Sequence, residues 1–277
     1  MIYDCFSYWD EDLLLDLRLN ILDNYVDYFV IVEGNKTWQN NPKKLRFEID
    51  KFKKFKNKII YVPVTDLPDG VDPYLRENHQ RNCISRGLKN AKDDDLIIIS
   101  DLDEIPNLEN INFKNIKNKL ILFKQKMFYY KFNLLLDNMN WCGSKSCKKK
   151  DLLTPQWLRE IKDKKYPLWR IDTLFSNTKA SDIFFVDKGG WHFSNMKTPK
   201  EIEKKMRTYL HHREYDLKPL GTKKIEEIIK SKKSIYNLRA DMKNEKIDGT
   251  QNLKATDGRE LPEYLKKNKT KYSNWIE

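Results

Sequence analysis

The chain has 277 residues, enough for one large domain or two small ones around a substantial core. Hydrophobic residues make up 39%, with 13 Phe, 14 Tyr and 7 Trp, which excludes a disordered chain, and 9 Gly and 10 Pro exclude one dominated by loops. The net charge of +12 suits an anionic partner such as a nucleotide. However, no RNA-recognition signature, zinc-finger spacing or Arg-interleaved aromatic platform points to nucleic acid.

Residues 2–8 read as a first strand that begins with no basic, apolar leader, so the chain is expected in the cytoplasm. No apolar run approaches the ~20 residues needed to span a bilayer. Asp10-Glu11-Asp12 opens a helix whose apolar face, Leu13 to Leu22, ends near Tyr25. Tyr28–Val32 is a second buried strand, ending in Glu33-Gly34-Asn35. A polar loop over 35–42 and a basic amphipathic helix near 45–56 precede a third strand, Ile59–Val64. The Asp/Pro/Gly-rich loop 65–73 leads to a helix around 75–91 that carries Arg76 and Arg81.

Leu96-Ile97-Ile98-Ile99 is a fourth, fully apolar strand, and Ser100-Asp101-Leu102-Asp103-Glu104-Ile105-Pro106 follows at once. The proline is expected to stop further pairing. Alternating strands and helices imply a parallel, doubly wound α/β sheet, and its ligands bind at the carboxyl edge. In extended chain Asp101 and Asp103 point to the same side, about 7 Å apart, and could flank one hard cation, Mn2+ or Mg2+.

Lys119–Tyr130 reads as a strand, residues 137–151 as a loop, and Ile183–Val186 as another strand. Gly189-Gly190-Trp191-His192-Phe193-Ser194 comes next. Paired glycines permit a tight turn or a close approach, Trp191 offers a flat face to a sugar or base, and neutral His192 can ligate a metal beside Asp101 and Asp103. Thr198-Pro199 opens a helix to about His212, and a second lies near 222–240. Adjacent His211 and His212 do not share a helix face, which disfavours a two-histidine zinc site. Of the four cysteines, Cys142 and Cys147 lack the second ligand pair of a zinc site, and a disulfide between them stays open. Arg76 and Arg81 suit phosphate, and Glu33 and Thr37 lie at a strand end where a nucleotide could be read.

These segments resemble glycosyltransferase family 17. The ordered set is Tyr3-Asp4-Cys5-Phe6, Asp10–Leu14, Leu17-Arg18-Leu19, Val26–Glu33, Thr37, Tyr74-Leu75-Arg76, Asp101–Pro106, Gly190–Ser194 and Pro262–Leu265. The resemblance implies a GT-A-type, Rossmann-like, mostly parallel sheet flanked by helices, with a C-terminal acceptor-side and helical extension. It implies a single domain over 1–277, with a nucleotide-sugar half (1–106) and an acceptor-side half (107–277). It further implies a UDP-sugar donor, N-acetylglucosamine as the sugar moved, a glycan acceptor and inversion at the anomeric carbon. The expected donor-binding residues are Asp101, from the resemblance, and Glu33, Thr37, Arg76, Arg81 and Trp191, from their residue chemistry and place in the chain. The implied metal ligands are Asp101 and Asp103, and His192 is the further ligand expected from its imidazole. Glu104, beside the metal site in the matched motif, is the first candidate for the base, and Asp187, which has no match in the family pattern, is the second. Trp38-Gln39-Asn40-Asn41-Pro42 stands where the family pattern implies a glycine. A haloacid-dehalogenase-like phosphatase with Asp101 as nucleophile also ends an apolar strand in Asp-x-Asp, but places that motif near the start of its core. A basic nucleic-acid-binding protein is the non-enzymatic alternative.

Overall fold

The computed structural model describes residues 1–70, 72–167, 169–173, 175–208, 212–236 and 251–277, without the side chains of 138 and 212–214. The strands are β1 (Ile2–Ser7), β2 (Tyr28–Gly34), β3 (Ile59–Val64), β4 (Leu96–Asp101), β5 (Glu104–Pro106), β6 (Leu120–Phe123), β7 (Gln125–Tyr129), β8 (Leu134–Trp141), β9 (Lys145–Lys148), β10 (Ile183–Val186), β11 (Gly190–Ser194) and β12 (Lys254–Ala255). The helices are α1 (Asp12–Leu22), α2 (Pro73–Asn82), α3 (Ile84–Gly87), α4 (Pro155–Glu160), α5 (Pro199–Thr208), α6 (His212–Leu217), α7 (Gly221–Lys230) and α8 (Glu263–Lys267). Two compact units emerge, Met1–Gln125 with Trp141–Gly190, and Lys126–Asn140 with Trp191–Glu277.

The first unit is a seven-stranded sheet in the order β10-β6-β9-β4-β1-β2-β3. β1 pairs in parallel with β2 and β4, β2 with β3, and β10 with β6. β9 alone runs antiparallel, between β4 and β6. The mostly parallel α/β sheet expected from the sequence is present. Its centre is buried on both faces, which is why β2 and β4 read as unbroken apolar runs. Val30, Ile31, Val32, Ile97, Ile98 and Ile99 have no exposed surface, and each such side chain contributes roughly 1.5–3 kcal/mol.

Several local expectations change. The helix expected over 75–91 is broken at Cys83 into α2 and α3, and the one near 45–56 is a 3-10 segment, Ile49–Phe55. The strand over 119–130 is two strands, β6 and β7. The expected loop 137–151 carries the end of β8 and all of β9, and Pro106 lies within β5 rather than after the last pairing. Nor does the chain divide at residue 106, because β6, β9 and β10 rejoin the first sheet after it.

In the second unit the strands run β12-β8-β7-β11, with β11 parallel to β7 and β12 antiparallel to β8. Its core holds an aromatic cluster in which the Phe132 ring meets Phe193 at 4.9 Å and Tyr272 at 5.8 Å, both edge-on. The helices α5 and α7 bury Ile202, Met206, Ile225 and Ile228. The expected helix end at 209–211, with His211, and the stretch 237–250 lie outside the described residues. Among the described residues no helix is long and apolar enough to cross a membrane.

Candidate active site

Strand order reverses beside β1: β2 and β3 lie on one side of it and β4 on the other. At such a switch point the strand ends splay and leave a crevice for ligand. The register places Ser7 of β1 opposite Asp101 of β4, so the Asp-x-Asp-Glu segment opens at that crevice.

The segment is shaped from beneath by Arg18, a fully buried residue of α1. Its guanidinium grips Asp4 of β1 at 2.8 and 2.6 Å and the Ser100 hydroxyl at 2.6 Å. It also donates to the carbonyls of Asp101, Leu102 and Glu104 at 3.0, 3.1 and 2.9 Å. Three carbonyls within four residues of backbone thus converge on one planar cation, a role the five-donor fork of arginine fits and lysine does not.

Asp101 is held from above by two further arginines. Arg81, on the last turn of α2, donates to its Oδ1 at 3.1 Å and to Glu77 at 2.9 Å. Arg159, on α4, donates to its Oδ2 at 2.8 Å and to Glu104 Oε1 at 2.7 Å. Both helices start where the sequence directs them. Asp72 caps α2 by accepting from the Tyr74 N–H, Thr154 caps α4 by accepting from the Trp157 N–H, and Pro73 and Pro155 occupy the first helical turn. Desolvation pushes the Asp101 carboxyl up, but the Arg159 and Arg81 charges outweigh it and hold the group well below the usual carboxylate range. Its side chain remains 41% exposed, so the ion-paired carboxylate still faces the crevice.

Glu104 is the correction to the expected base. It is 1% exposed, and its carboxylate accepts from the Asp101 N–H at 2.7 Å, the Trp141 indole at 2.5 Å and Arg159. A base must reach an acceptor hydroxyl. Glu104 instead braces the loop that presents Asp101 and Asp103. The brace depends on Gly143, where a Cβ would lie 2.2 Å from the Glu104 carboxyl carbon. Gly143→Ala is therefore expected to push Glu104 aside and destabilise the fold by about 1–3 kcal/mol. Denaturant unfolding measures this, and an unchanged midpoint would contradict the tight packing.

The other expected donor residues are largely tied to the protein itself. Glu33 is fully buried and accepts from Lys43, the Arg46 and Phe47 N–H groups and the Tyr61 hydroxyl, so it anchors the 43–47 segment. Arg76, 2% exposed, donates to the Trp38 and Gly70 carbonyls and joins two loops. Thr37 Oγ1 accepts from the Asn41 N–H and closes the turn at Trp38–Asn40. The same turn brings Trp38 to 5.7 Å from Trp9, just past the end of β1. Trp9 is an aromatic that the sequence reading did not single out.

Asp187 is exposed and ion-paired with Lys124 at 2.9 Å, outside the Asp101 network. Gly190, at φ +135°, makes its close approach to the protein's own backbone: a Cβ there would meet the Ile105 carbonyl at 2.2 Å. Trp191 and His192 belong to the second unit, on β11, and the Trp191 indole donates to the Glu260 carbonyl at 2.6 Å. All four cysteines are free thiols.

The oxygen donors of Asp101 and Asp103 fit a hard divalent cation in chemistry. Asp103 is half-buried, and each oxygen of Asp101 accepts from an arginine. Among the described residues a different trio, Asp66, His79 and Cys83, brings metal-capable atoms within 4.8 Å of one another. There Arg86 already takes both Asp66 oxygens, at 2.9 and 2.6 Å, and burial pushes the Cys83 thiol up, away from the thiolate a metal needs.

A cavity of about 610 Å3 opens beside the Arg159 side of this network, lined by Trp141, Lys145, Arg159 and Asp163 among others. Burial and the Arg159 charge push the Lys145 ammonium down to about 8. It donates to the Arg159 and Ile161 carbonyls at 2.6 and 2.5 Å, and this holds the end of α4.

Comparison with known proteins places this geometry in a family. The human β-1,4-mannosyl-glycoprotein 4-β-N-acetylglucosaminyltransferase is 35% identical over 111 residues, which cover 36% of this chain and 21% of the human protein. The rat enzyme of the same name is also 35% identical, over 36% of this chain and 20% of its own. The chain thus spans about a fifth of the length of these curated relatives. Among solved structures, HddC from Yersinia pseudotuberculosis superposes at a TM-score of 0.36 with 13% identity, covering 68% of this chain and 90% of that one. The sequence profile of glycosyltransferase family 17 matches residues 1–154, which take in β1 to β9, Arg18, Arg81 and the whole Asp-x-Asp-Glu segment. More than half of the chain matches, and the chain belongs to glycosyltransferase family 17.

Proposed function

We propose that the chain moves N-acetylglucosamine from UDP-N-acetylglucosamine to a hydroxyl of a glycan, with inversion at the anomeric carbon. The observation that carries this is Asp101-Leu102-Asp103 at the carboxyl end of β4, beside the switch point, within the segment that matches the family. Support for the sugar comes from the mannosyl-glycoprotein N-acetylglucosaminyltransferases among the relatives.

In this reading Asp103 and Asp101 are the residues that would hold Mn2+ or Mg2+ beside the donor diphosphate. Bound there, the cation would supply Lewis-acid stabilisation of the leaving UDP. Arg81 and Arg159 flank Asp101 at 3.1 and 2.8 Å and would set two cations beside the same anion, where they can offset charge that develops on UDP. Trp9 and Trp38 offer an aromatic surface to the uracil. Arg18 and Glu104 fix the backbone of the loop that carries the two aspartates. Of the two carboxylates expected to act as base, Asp187 alone is open to solvent.

The test is thermal unfolding with UDP-N-acetylglucosamine, with and without Mn2+. Ligand at roughly 100 times its Kd should stabilise the fold by about 2.7 kcal/mol. The shift is expected to need the metal and to vanish in Asp103→Ala. A panel of UDP-sugars that leaves the melting curve unmoved would overturn the donor assignment.

A further inference from the structure

Of the four most exposed large apolar side chains among the described residues, three fall within seven positions of sequence: Trp169 at 80%, Ile171 at 70% and Phe175 at 86%. Apolar residues exposed singly are ordinary on a protein surface, whereas a group of them marks an interaction site. All three belong to the first unit, on the connection between α4 and β10.

That connection holds its shape without them. The Lys162 N–H donates to the Thr178 carbonyl at 2.9 Å and the Tyr166 N–H to the Ala180 carbonyl at 3.1 Å, so its two limbs are tied together. The Trp157 indole, on α4, donates to the Asn177 carbonyl at 2.6 Å and fastens the return limb to the helix. Asp172, in the 3-10 turn Ile171–Thr173, accepts from Arg170 at 2.8 and 2.6 Å and from Lys179 at 2.7 Å. The Tyr166 ring has the Lys164, Arg170 and Lys179 cations at 5.9, 5.3 and 5.9 Å. These polar groups satisfy one another, while Trp169, Ile171 and Phe175 stay in water.

The charge around them is net positive. Residues 161–180 include five cations, Lys162, Lys164, Lys165, Arg170 and Lys179, and two anions, Asp163 and Asp172. Asp172 is neutralised within the loop, and Lys162, Lys164 and Lys165 are exposed and make no ion pair among the described residues. Lysine is depleted at protein–protein interfaces. Trp and other large apolar residues with Lys or Arg beside them are instead the composition of segments that lie in a membrane interface. An anionic bilayer complements both parts of this surface, the headgroups taking the lysines and the acyl boundary the apolar side chains.

We propose that Trp169, Ile171 and Phe175 insert into the interface of an anionic lipid bilayer, with Lys162, Lys164 and Lys165 against its headgroups. The attachment is peripheral and reversible, since three side chains bury far less apolar surface than a membrane-spanning helix. It does not depend on which donor the chain uses.

Co-flotation of the full chain with vesicles tests this, comparing phosphatidylcholine alone with a phosphatidylcholine–phosphatidylglycerol mixture. The chain is expected to float with the anionic vesicles only. A net charge of +12 adsorbs to such vesicles without insertion, so the variants decide. Trp169→Ser/Phe175→Ser keeps every charge and changes only exposed positions. Its melting curve should match the parent's, and its partitioning should fall at least about tenfold. Lys164→Gln/Lys165→Gln should lower partitioning about thirtyfold, at roughly fivefold per lysine. Brominated acyl chains should quench the tryptophan fluorescence of the parent, and Trp169→Phe should still float but lose that quenching. The proposal fails if the Trp169→Ser/Phe175→Ser variant floats as well as the parent, if neutral vesicles bind equally, if neither vesicle binds, or if brominated chains leave the parent unquenched. Self-association that the same variant abolishes, without vesicle binding, would assign the patch to a second copy of the chain instead.

Discussion

Arg18→Met is expected to destabilise the first unit by about 3–5 kcal/mol, because it breaks a buried ion pair from one side. Asp4 has no exposed surface and would keep its charge with no cation beside it. The carbonyls of Asp101, Leu102 and Glu104 would lose the donor that gathers them. Methionine fills the volume of the arginine stem, so the loss is electrostatic rather than a cavity. Two companion variants separate the terms. Asp4→Leu added to Arg18→Met should recover part of the stability, since removing both charges is far less costly than stranding one. Arg18→Lys keeps the charge but not the fork, and should preserve more stability than methionine while loosening the loop and weakening metal-dependent donor binding. Denaturant unfolding and the UDP-sugar thermal shift report the two effects independently. A lysine variant equal to the parent in both would show that the fork does not shape the Asp-x-Asp-Glu segment.

The parallel core was legible because its strands are short apolar runs rich in β-branched residues, and helices separate the first of them. Asp101 and Asp103 were legible because an acid pair directly after such a run has few structural reasons to be there. Arg18 and Arg159 carry no comparable local signal. They act across 83 and 58 residues on Asp101, and an arginine in a helix looks the same whether it faces water or a buried carboxylate. β9 was misread as a loop for a related reason. Its sequence, Lys145-Ser146-Cys147-Lys148, is polar, yet it fills the gap between β4 and β6, with Lys145 only 6% exposed and its ammonium held by two carbonyls. Tertiary hydrogen bonding overrides the pattern there. Glu33 shows the converse situation. A carboxylate at a strand's carboxyl end suggested a ligand contact, but the following segment folds back and uses its oxygens itself.

On the proposed reading, Arg159→Met should lower kcat/KM for the UDP-sugar by about 10²–10³, the usual cost of deleting one positioned donor to a developing negative charge. The guanidinium bridges Asp101 at 2.8 Å and Glu104 at 2.7 Å, and its other arm meets the Gly143 carbonyl at 2.5 Å. On the proposed donor reading its loss would remove a cation beside the diphosphate, and it leaves Asp101 and Glu104 without the group that separates their charges. The consequences then diverge by variant. Arg159→Lys restores a charge but cannot span both carboxylates, so it should regain stability more fully than turnover. Glu104→Gln in the Arg159→Met background should recover stability, because one of the two stranded carboxylates is gone, yet leave kcat/KM low, because the cation facing UDP is still missing. A purely structural Arg159 would give the opposite pattern: stability and turnover would fall together and return together in the double variant. The split between them, measured by unfolding and by steady-state kinetics on the same preparations, decides whether Arg159 acts on the donor or only on the loop beneath it.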